Sequence, residues 1–237
     1  MCGRIVQATS PEEIAREFGA AVDAALAEGW RPRWNVAPSS QVAVVAPTPE
    51  GRRVELGIWG LVPPWQPART AGLFNARAET VATLPSFRDA YRRGRLIVPA
   101  DAFYEWENLD YLAERGRPLG RRAPRQPWAY LPARGRLFAF GGIAAPRDGV
   151  PGLSLITTPA NGVVGEIHDR MPVLLPGPAE QAAWLDPGTH PDDVAALLAP
   201  VPDALLVARR VSRRVSNARN EGPSCLEEAG VEGLGLV

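Results

Sequence analysis

The chain has 237 residues, 46% of them hydrophobic and 22% charged, with equal numbers of basic and acidic side chains. A chain of this length buries a sizeable core, and a net charge of zero argues, taken alone, against a nucleic-acid partner. No segment approaches the roughly 20 apolar residues of a membrane span, and the start lacks the basic-then-apolar order of a signal peptide. Two cysteines do not make a disulfide framework and two histidines do not make a convincing metal site, so we expect a protein of the reducing cytoplasm.

The charge is unevenly distributed along the chain. Residues 1–150 contain 20 arginines and 15 acidic residues, whereas residues 151–237 contain 6 arginines and 11 acidic residues. There is no lysine, so every cation is a guanidinium, whose planar fork matches phosphate. The basic first part suits a phosphate-bearing partner, although a GC-rich genome is the simpler explanation for the absence of lysine.

The first predicted element is a helix that begins after Ser10. The run Ser10-Pro11-Glu12-Glu13 is a capping box with proline at the first helical position, and Gly19 ends the helix after Phe18. A second helical piece is expected over residues 20–28.

Short apolar runs broken by proline and glycine follow, and they indicate strands. They are residues 41–45, 54–59, 96–98, 128–131, 137–143 and 153–158, after which helices return at 179–185 and 192–198. Strands that are separated by loops rather than by regular helices predict an α+β protein. We expect a single domain with a mostly antiparallel, curled or barrel-like β-sheet core and a few flanking helices.

The domain is predicted to span residues 1–225. Within it, residues 111–126 turn polar and arginine-rich with glycine and proline, which indicates an inserted surface loop. The glycine-rich, acidic residues 226–237 are typical of a loose tail.

Cys2 is the most informative residue of the chain. If Met1 is removed, Cys2 presents an α-amine and a thiol on adjacent carbons, and this pair condenses with an aldehyde to a five-membered thiazolidine. An α-amine has a pKa of about 8, so roughly a tenth of it is neutral at pH 7, far more than for lysine. The position alone favours the simpler interpretation, that Cys2 is an accident of the second codon in a frayed terminus.

Three polar residues have unusual neighbours in the sequence. Asn75 follows an apolar pair, Glu105 lies between aromatic residues, and His168 is flanked by acidic and basic neighbours. Each has a structural interpretation: a turn for Asn75, the polar face of a strand for Glu105, and a hydrogen-bonded pair for His168. None of the three identifies a function by itself.

Six blocks in order resemble those of one family. They are Cys2-Gly3-Arg4, Trp34 to Pro38, Trp59 to Trp65, Asn75 to Thr80 with Pro85 to Arg88, Val98 to Trp106, and Ile167 to Val173. In this order they resemble the SOS-response-associated peptidase (SRAP) family, from residue 2 to about residue 186.

The resemblance implies recognition of abasic sites in single-stranded DNA and a lyase-like activity that crosslinks Cys2 to the lesion, which the crosslink then shields. By similarity, Asn75 holds the terminal residue, Glu105 moves protons to and from the amine, and His168 acts on the sugar oxygen. It further implies that six residues contact DNA: Arg4, Pro38, Trp65, Arg77, Trp106 and Arg170. No cofactor, metal or membrane is implied, and we expect a monomer in the cytoplasm that joins the nucleoid when DNA is damaged.

The chain departs from the family pattern at two positions near Glu105. Ala102 stands where glycine is frequent, and Glu107 stands where a basic residue is frequent, which predicts a slightly moved loop and weaker DNA affinity. Two alternatives stay open: a thiol peptidase with Cys2 as nucleophile and His168 as base, and a single-strand binder without covalent chemistry.

Overall fold

The structure is a computed structural model that describes residues 2–67, 70–117, 125–147 and 149–229. These residues form thirteen strands and six α-helices, together with short 3₁₀ turns. The strands are β1 (Ile5–Gln7), β2 (Ala20–Val22), β3 (Arg33–Val36), β4 (Gln41–Thr48), β5 (Gly51–Trp59), β6 (Asn75–Arg77), β7 (Arg95–Ala100), β8 (Ala102–Trp106), β9 (Pro127–Pro132), β10 (Phe138–Ala145), β11 (Gly152–Pro159), β12 (Arg170–Pro172) and β13 (Leu206–Arg210). The helices are α1 (Pro11–Phe18), α2 (Ala24–Gly29), α3 (Arg88–Arg93), α4 (Leu109–Glu114), α5 (Pro178–Leu185) and α6 (Pro191–Ala196).

The first sheet has five strands in the order β13-β9-β8-β1-β3, and every neighbouring pair is antiparallel. The three residues of β1 are too few to stabilise a strand alone, and β1 is held by partners on both sides. Ile5 pairs with Val36 on one side and with Phe103 on the other. The start of the chain therefore lies inside the sheet.

The second sheet follows the order β12-β11-β10-β7-β4-β5-β2, with β6 added beside β11. A parallel pairing of β11 with β5, the second and sixth strands of this path, closes the strands between them into a ring through Gly152 with Ile58 and Leu153 with Trp59. The sheet is therefore barrel-like, and the predicted α+β class with a mostly antiparallel curled core is confirmed.

A hydrophobic cluster connects the two sheets. Phe103 of β8 and Tyr130 of β9 stack with ring centroids 4.8 Å apart, and Phe140 of β10 meets the edge of the Phe103 ring from the second sheet. Cys2 belongs to the same cluster and is completely buried. The core between the sheets thus places the predicted nucleophile among aromatic side chains.

The helix predicted to begin after Ser10 is confirmed, including its capping box and its left-handed end at Gly19. The helix predicted over 20–28 is wrong in its first part: Ala20–Val22 forms β2, which pairs in parallel with β5, and α2 begins only at Ala24. Asp23 separates the two, because its carboxylate accepts the Leu26 N–H in a 3.1 Å N-cap bond.

Part of the predicted loop over 111–126 falls within α4, and residues 118–124 lie outside the described residues. Residues 230–237 of the predicted tail also lie outside them. No helix among the described ranges combines the length and the apolar character needed to cross a bilayer.

Candidate active site

Cys2 lies just before β1, at the point where the first sheet faces the second. The Tyr104 N–H donates to the Arg4 carbonyl at 2.9 Å, so the residues before β1 run alongside the end of β8. Burial, reinforced by the negative charge of Glu105, raises the pKa of the Cys2 thiol well above its usual range. The thiol is therefore protonated and neutral in the folded protein, and a base must remove its proton before the sulfur can attack.

Asn75 begins β6, next to β11 of the second sheet, and contacts Cys2 directly. Its side-chain amide donates a 2.8 Å hydrogen bond to the Cys2 carbonyl. The preceding residue is fixed as well, because the carbonyl of Phe74 accepts the indole N–H of Trp59 at 2.9 Å. Asn75 is thus held rigidly where it anchors the backbone of the second residue.

Glu105 points from β8 into the space between the sheets, and its side chain is only 5% exposed. Burial raises its pKa to about 7. A carboxyl group with this pKa is present in both protonation states at neutral pH, so it can accept a proton and return it.

His168 lies between a 3₁₀ turn and β12, and its Nε2 is 4.0 Å from a carboxylate oxygen of Glu105. Burial lowers the pKa of the imidazole to about 4, so the ring is neutral at pH 7. The Arg170 backbone N–H donates to His168 Nδ1 at 3.0 Å, which favours the tautomer with its proton on Nε2. His168 therefore presents a neutral donor on the side of Glu105.

Arg4 is part of an internal network. Its guanidinium donates to the Asn35 side chain at 2.7 Å and to the Val215 carbonyl at 2.9 Å, and lies 5.5 Å from the centroid of the Trp106 ring. Trp106 is in turn held by a 2.9 Å bond from its indole N–H to Ser216. Asn35, which the sequence-based prediction did not single out, is buried and holds this network together.

The other predicted DNA contacts differ in exposure. Arg77 is exposed at the end of β6, and Trp65 is 59% exposed, which is unusual for tryptophan. Pro38 is half-buried in the turn before β4, where Ser39 adopts a positive φ of 71° and donates its N–H to the Trp59 carbonyl. The exposed pair has the chemistry that single-stranded DNA needs, a cation and an aromatic face.

Arg170 is already engaged in the free protein. Both terminal nitrogens of its guanidinium bind the carboxylate of Glu79, and one of them also donates to the Thr157 carbonyl at 2.6 Å. Sequence reasoning missed Glu79, although it lies in the same block as Asn75. Glu79 is the only acidic residue in that block, and this feature of the sequence could have identified it.

The arrangement places a cysteine, a carboxyl group of near-neutral pKa and a neutral imidazole at one point between the sheets. No group of three or more metal-ligating side chains occurs among the residues that the structure describes. The site is suited to proton transfer around an amine or thiol at Cys2. The chain begins Met1-Cys2, so the α-amine of Cys2 exists only once Met1 has been removed.

These features agree with the family indicated by sequence, and the chain belongs to it: the sequence model of the SOS response associated peptidase (SRAP) family matches residues 1–218. The chain is 34% identical to the abasic site processing protein YoqW of Bacillus subtilis, over 96% of this chain and 99% of YoqW. It is 28% identical to the abasic site processing protein YedK of Escherichia coli, with the same coverage of 96% and 99%. A crystal structure of a Bacteroides thetaiotaomicron protein, 21% identical, has the same fold with a TM-score of 0.79 over 96% of this chain and 100% of that one.

Proposed function

We propose that this protein recognises abasic sites in single-stranded DNA and, after removal of Met1, joins itself to the lesion through Cys2. The observation that carries the proposal is the set of side chains around Cys2: the Asn75 amide on its carbonyl and the buried pair of Glu105 and His168. Relatives named abasic site processing proteins support the same lesion as the target. The covalent product shields the open sugar from further reaction.

The proposed chemistry balances without an oxidant or a cofactor. The ring-opened abasic sugar carries an aldehyde at C1′, and the Cys2 nitrogen attacks that carbon to give a carbinolamine. Loss of one water leaves an imine, whose carbon the sulfur then attacks while the thiol proton moves to the nitrogen. The product is a thiazolidine, and its mass is that of protein and DNA together less one water.

Glu105 and His168 supply the proton transfers in this scheme. Glu105 accepts a proton from the ammonium or from the thiol, each of which must lose a proton before it attacks, and a pKa of about 7 suits Glu105 to return that proton. His168, with its proton on Nε2, donates to the sugar oxygen as the ring opens. Asn75 keeps the backbone of Cys2 in place, so that both nucleophiles meet the same carbon.

The DNA strand is proposed to follow the exposed arginine and aromatic residues. Arg77 would pair with a phosphate and Trp65 would stack on a base, neither of which reads sequence. Arg4, Pro38 and Trp106 would line the strand nearer to Cys2. Arg170 is also predicted to contact a phosphate, but Glu79 would first have to release it.

The alternative of a thiol peptidase is less well supported. Catalytic cysteines have a lowered pKa, usually through a neighbouring imidazolium, whereas burial raises the pKa of the Cys2 thiol and lowers that of His168. A single-strand binder without covalent chemistry leaves the buried Glu105 unexplained. We therefore favour the crosslink.

The test is the intact mass of the protein before and after mixing with a single strand that carries one abasic site. The expected result is loss of Met1 before mixing, and afterwards an adduct short of one water that survives denaturation. Cys2→Ser should give only an imine that borohydride traps, and Cys2→Ala no thiazolidine. Cys225→Ser is the matched control and should react like the wild type, because Cys225 is buried near Asn220. Quantitative retention of Met1 in reactive protein would contradict the mechanism.

A further inference from the structure

Glu79 lies in the turn after β6, and its carboxylate binds Arg170 through two parallel hydrogen bonds. Glu79 Oε1 accepts from Arg170 Nη1, and Oε2 accepts from Nη2 at 2.9 Å. The Arg170 side chain is only 13% exposed, although that of Glu79 is 48% exposed. A bidentate pair of this kind fixes the plane of the guanidinium as well as its position.

The same guanidinium ties together the two strands on either side of β11. The carbonyl of Thr157 accepts from Arg170 Nη2 at 2.6 Å and from the Ala78 N–H at 2.8 Å, so it joins β12 to the residues that follow β6. Thr157 is paired with Arg77 of β6 and with Pro172 of β12. Arg170 is therefore built into the frame between Asn75 and His168.

The backbone of Arg170 reaches His168 directly. Its N–H donates to His168 Nδ1 at 3.0 Å, and Asp169 Oδ1 also lies 3.0 Å from that nitrogen. The two neighbours favour opposite tautomers, because an N–H needs a bare Nδ1 and a carboxylate needs a protonated one. The Arg170 N–H is therefore the neighbour that favours the tautomer with its proton on Nε2, and its position relative to Nδ1 shifts the balance between the two tautomers.

We propose that Glu79 is a positioning residue for His168 and acts through Arg170. By clamping the guanidinium against Thr157, Glu79 holds the Arg170 N–H on Nδ1 and keeps the Nε2 proton directed toward Glu105. In the protein without DNA, the guanidinium of Arg170 is then held in place by Glu79 and Thr157. The role of the Nε2 proton rests on the proposed function, whereas the clamp itself does not.

The clamp can be tested without DNA, by ¹⁵N NMR of the imidazole rings. The chain has two histidines, and the exposed His190 serves as the internal reference. In the wild type we expect His168 to show the Nε2-protonated tautomer. Glu79→Ala should give a mixture of tautomers at His168, while the isosteric Glu79→Gln should show the same change more weakly.

Arg136→Ala is the matched control, because it removes an exposed ion pair with Glu13, 2.7 Å long, on another part of the chain. It should leave both histidine signals unchanged. Identical His168 spectra in the wild type and in both folded Glu79 variants would overturn the proposal. This outcome is independent of whether the protein crosslinks DNA.

Crosslinking kinetics distinguish a positioning role of Glu79 from one in which Glu79 only masks a phosphate-binding arginine. As the concentration of abasic DNA is varied, Glu79→Ala should lower the maximal single-turnover rate about tenfold and leave the half-saturating concentration unchanged. Arg170→Ala should lower the maximal rate as well. If Glu79→Ala instead tightened binding and steepened the salt dependence by about one unit of log slope, Glu79 would only be masking a phosphate-binding arginine.

Discussion

The side-chain amide of Asn75 donates a 2.8 Å hydrogen bond to the carbonyl of Cys2, across 73 residues of sequence and between the two sheets. The other half of that amide, Oδ1, is buried and has no hydrogen-bond partner among the described residues. Buried acceptors are rarely left unpaired in folded proteins. One end of Asn75 thus binds the chain, and the other is a buried acceptor that, in the proposed mechanism, can bind a donor on the lesion.

Replacing Asn75 should slow the reaction without preventing it. Asn75→Ala removes the anchor, and Asn75→Asp places a carboxylate against the Cys2 carbonyl, so we expect rates about 10-fold and about 100-fold below the wild type. Single-turnover crosslinking on denaturing gels measures both. Gln181→Ala, which removes a comparable side-chain amide bond to the Leu175 carbonyl, should leave the rate unchanged. Equal rates in all four proteins would show that the anchor is dispensable.

Glu105 is expected to make the fold less stable as pH rises. Burial raises its pKa from 4.5 to about 7, so the folded state binds this proton more tightly than the unfolded state does. The contribution to stability is complete below about pH 4.5 and is lost as pH rises through 7, at a cost of about 3 kcal/mol.

Glu105→Gln should therefore melt at a higher temperature than the wild type at pH 8 and at nearly the same temperature at pH 4.5. Thermal unfolding at both pH values measures the difference. Glu17→Gln, on the exposed side of α1, is the control and should show no such pH dependence. A Glu105→Gln protein that is less stable than wild type at pH 8 would mean that the carboxylate is compensated in the folded state.

Arg77 and Arg4 should respond differently to replacement by alanine. Arg77 is exposed, so Arg77→Ala should weaken binding to every sequence and make the salt dependence shallower by about 0.7 to 0.9 units of log slope. Arg4 holds Asn35 and the Val215 carbonyl, so Arg4→Ala should instead lower the free energy of unfolding by about 2 kcal/mol. Salt titrations of DNA binding and denaturant melts of both variants test these two predictions. A loss of stability in Arg77→Ala together with a shallower salt dependence in Arg4→Ala would contradict them.

Tyr130 carries a hydroxyl group that stability does not explain. The residue is completely buried and stacks on Phe103, yet its hydroxyl has no hydrogen-bond partner among the described residues. Tyr130→Phe keeps the stacking and removes the unpaired oxygen, so it should raise the free energy of unfolding by about 1 kcal/mol in urea melts. Tyr104→Phe removes a hydroxyl that donates to the Trp34 carbonyl at 2.9 Å and should lower it by a similar amount. A loss of stability in Tyr130→Phe would reveal a bound partner such as water.

The long elements of the fold could be predicted from local sequence. The capping box of Ser10 and Glu13 defines the start of α1, and runs of apolar residues mark strands such as β4 and β11, because these signals lie within a few neighbouring residues. The strands of three residues could not be predicted in this way. β1, β6 and β12 owe their structure to pairing with distant strands, and these are the strands that adjoin Cys2, Asn75 and His168.

The site residues were found through the order of their motifs rather than through any local pattern. That Asn75 and Cys2 touch, or that Glu105 and His168 lie 4.0 Å apart, depends on how the sheets pack. The pairing of Glu79 with Arg170 spans 91 residues, and no spacing rule connects them. Likewise, the hydrogen bond from Arg4 to Asn35 joins residues 31 positions apart and could not be predicted from their spacing.

The burial of Cys2, just before the paired strand β1, has a consequence for the timing of maturation. An aminopeptidase can cleave the Met1–Cys2 bond only in an extended, accessible terminus, whereas β1 is flanked on both sides once the sheet has formed. If Cys2 reacts as proposed, Met1 is removed during synthesis, before the first sheet forms around β1. Every molecule that folds after that step is then able to react, and the amount of reactive protein is set by how much the cell makes rather than by a later activation event.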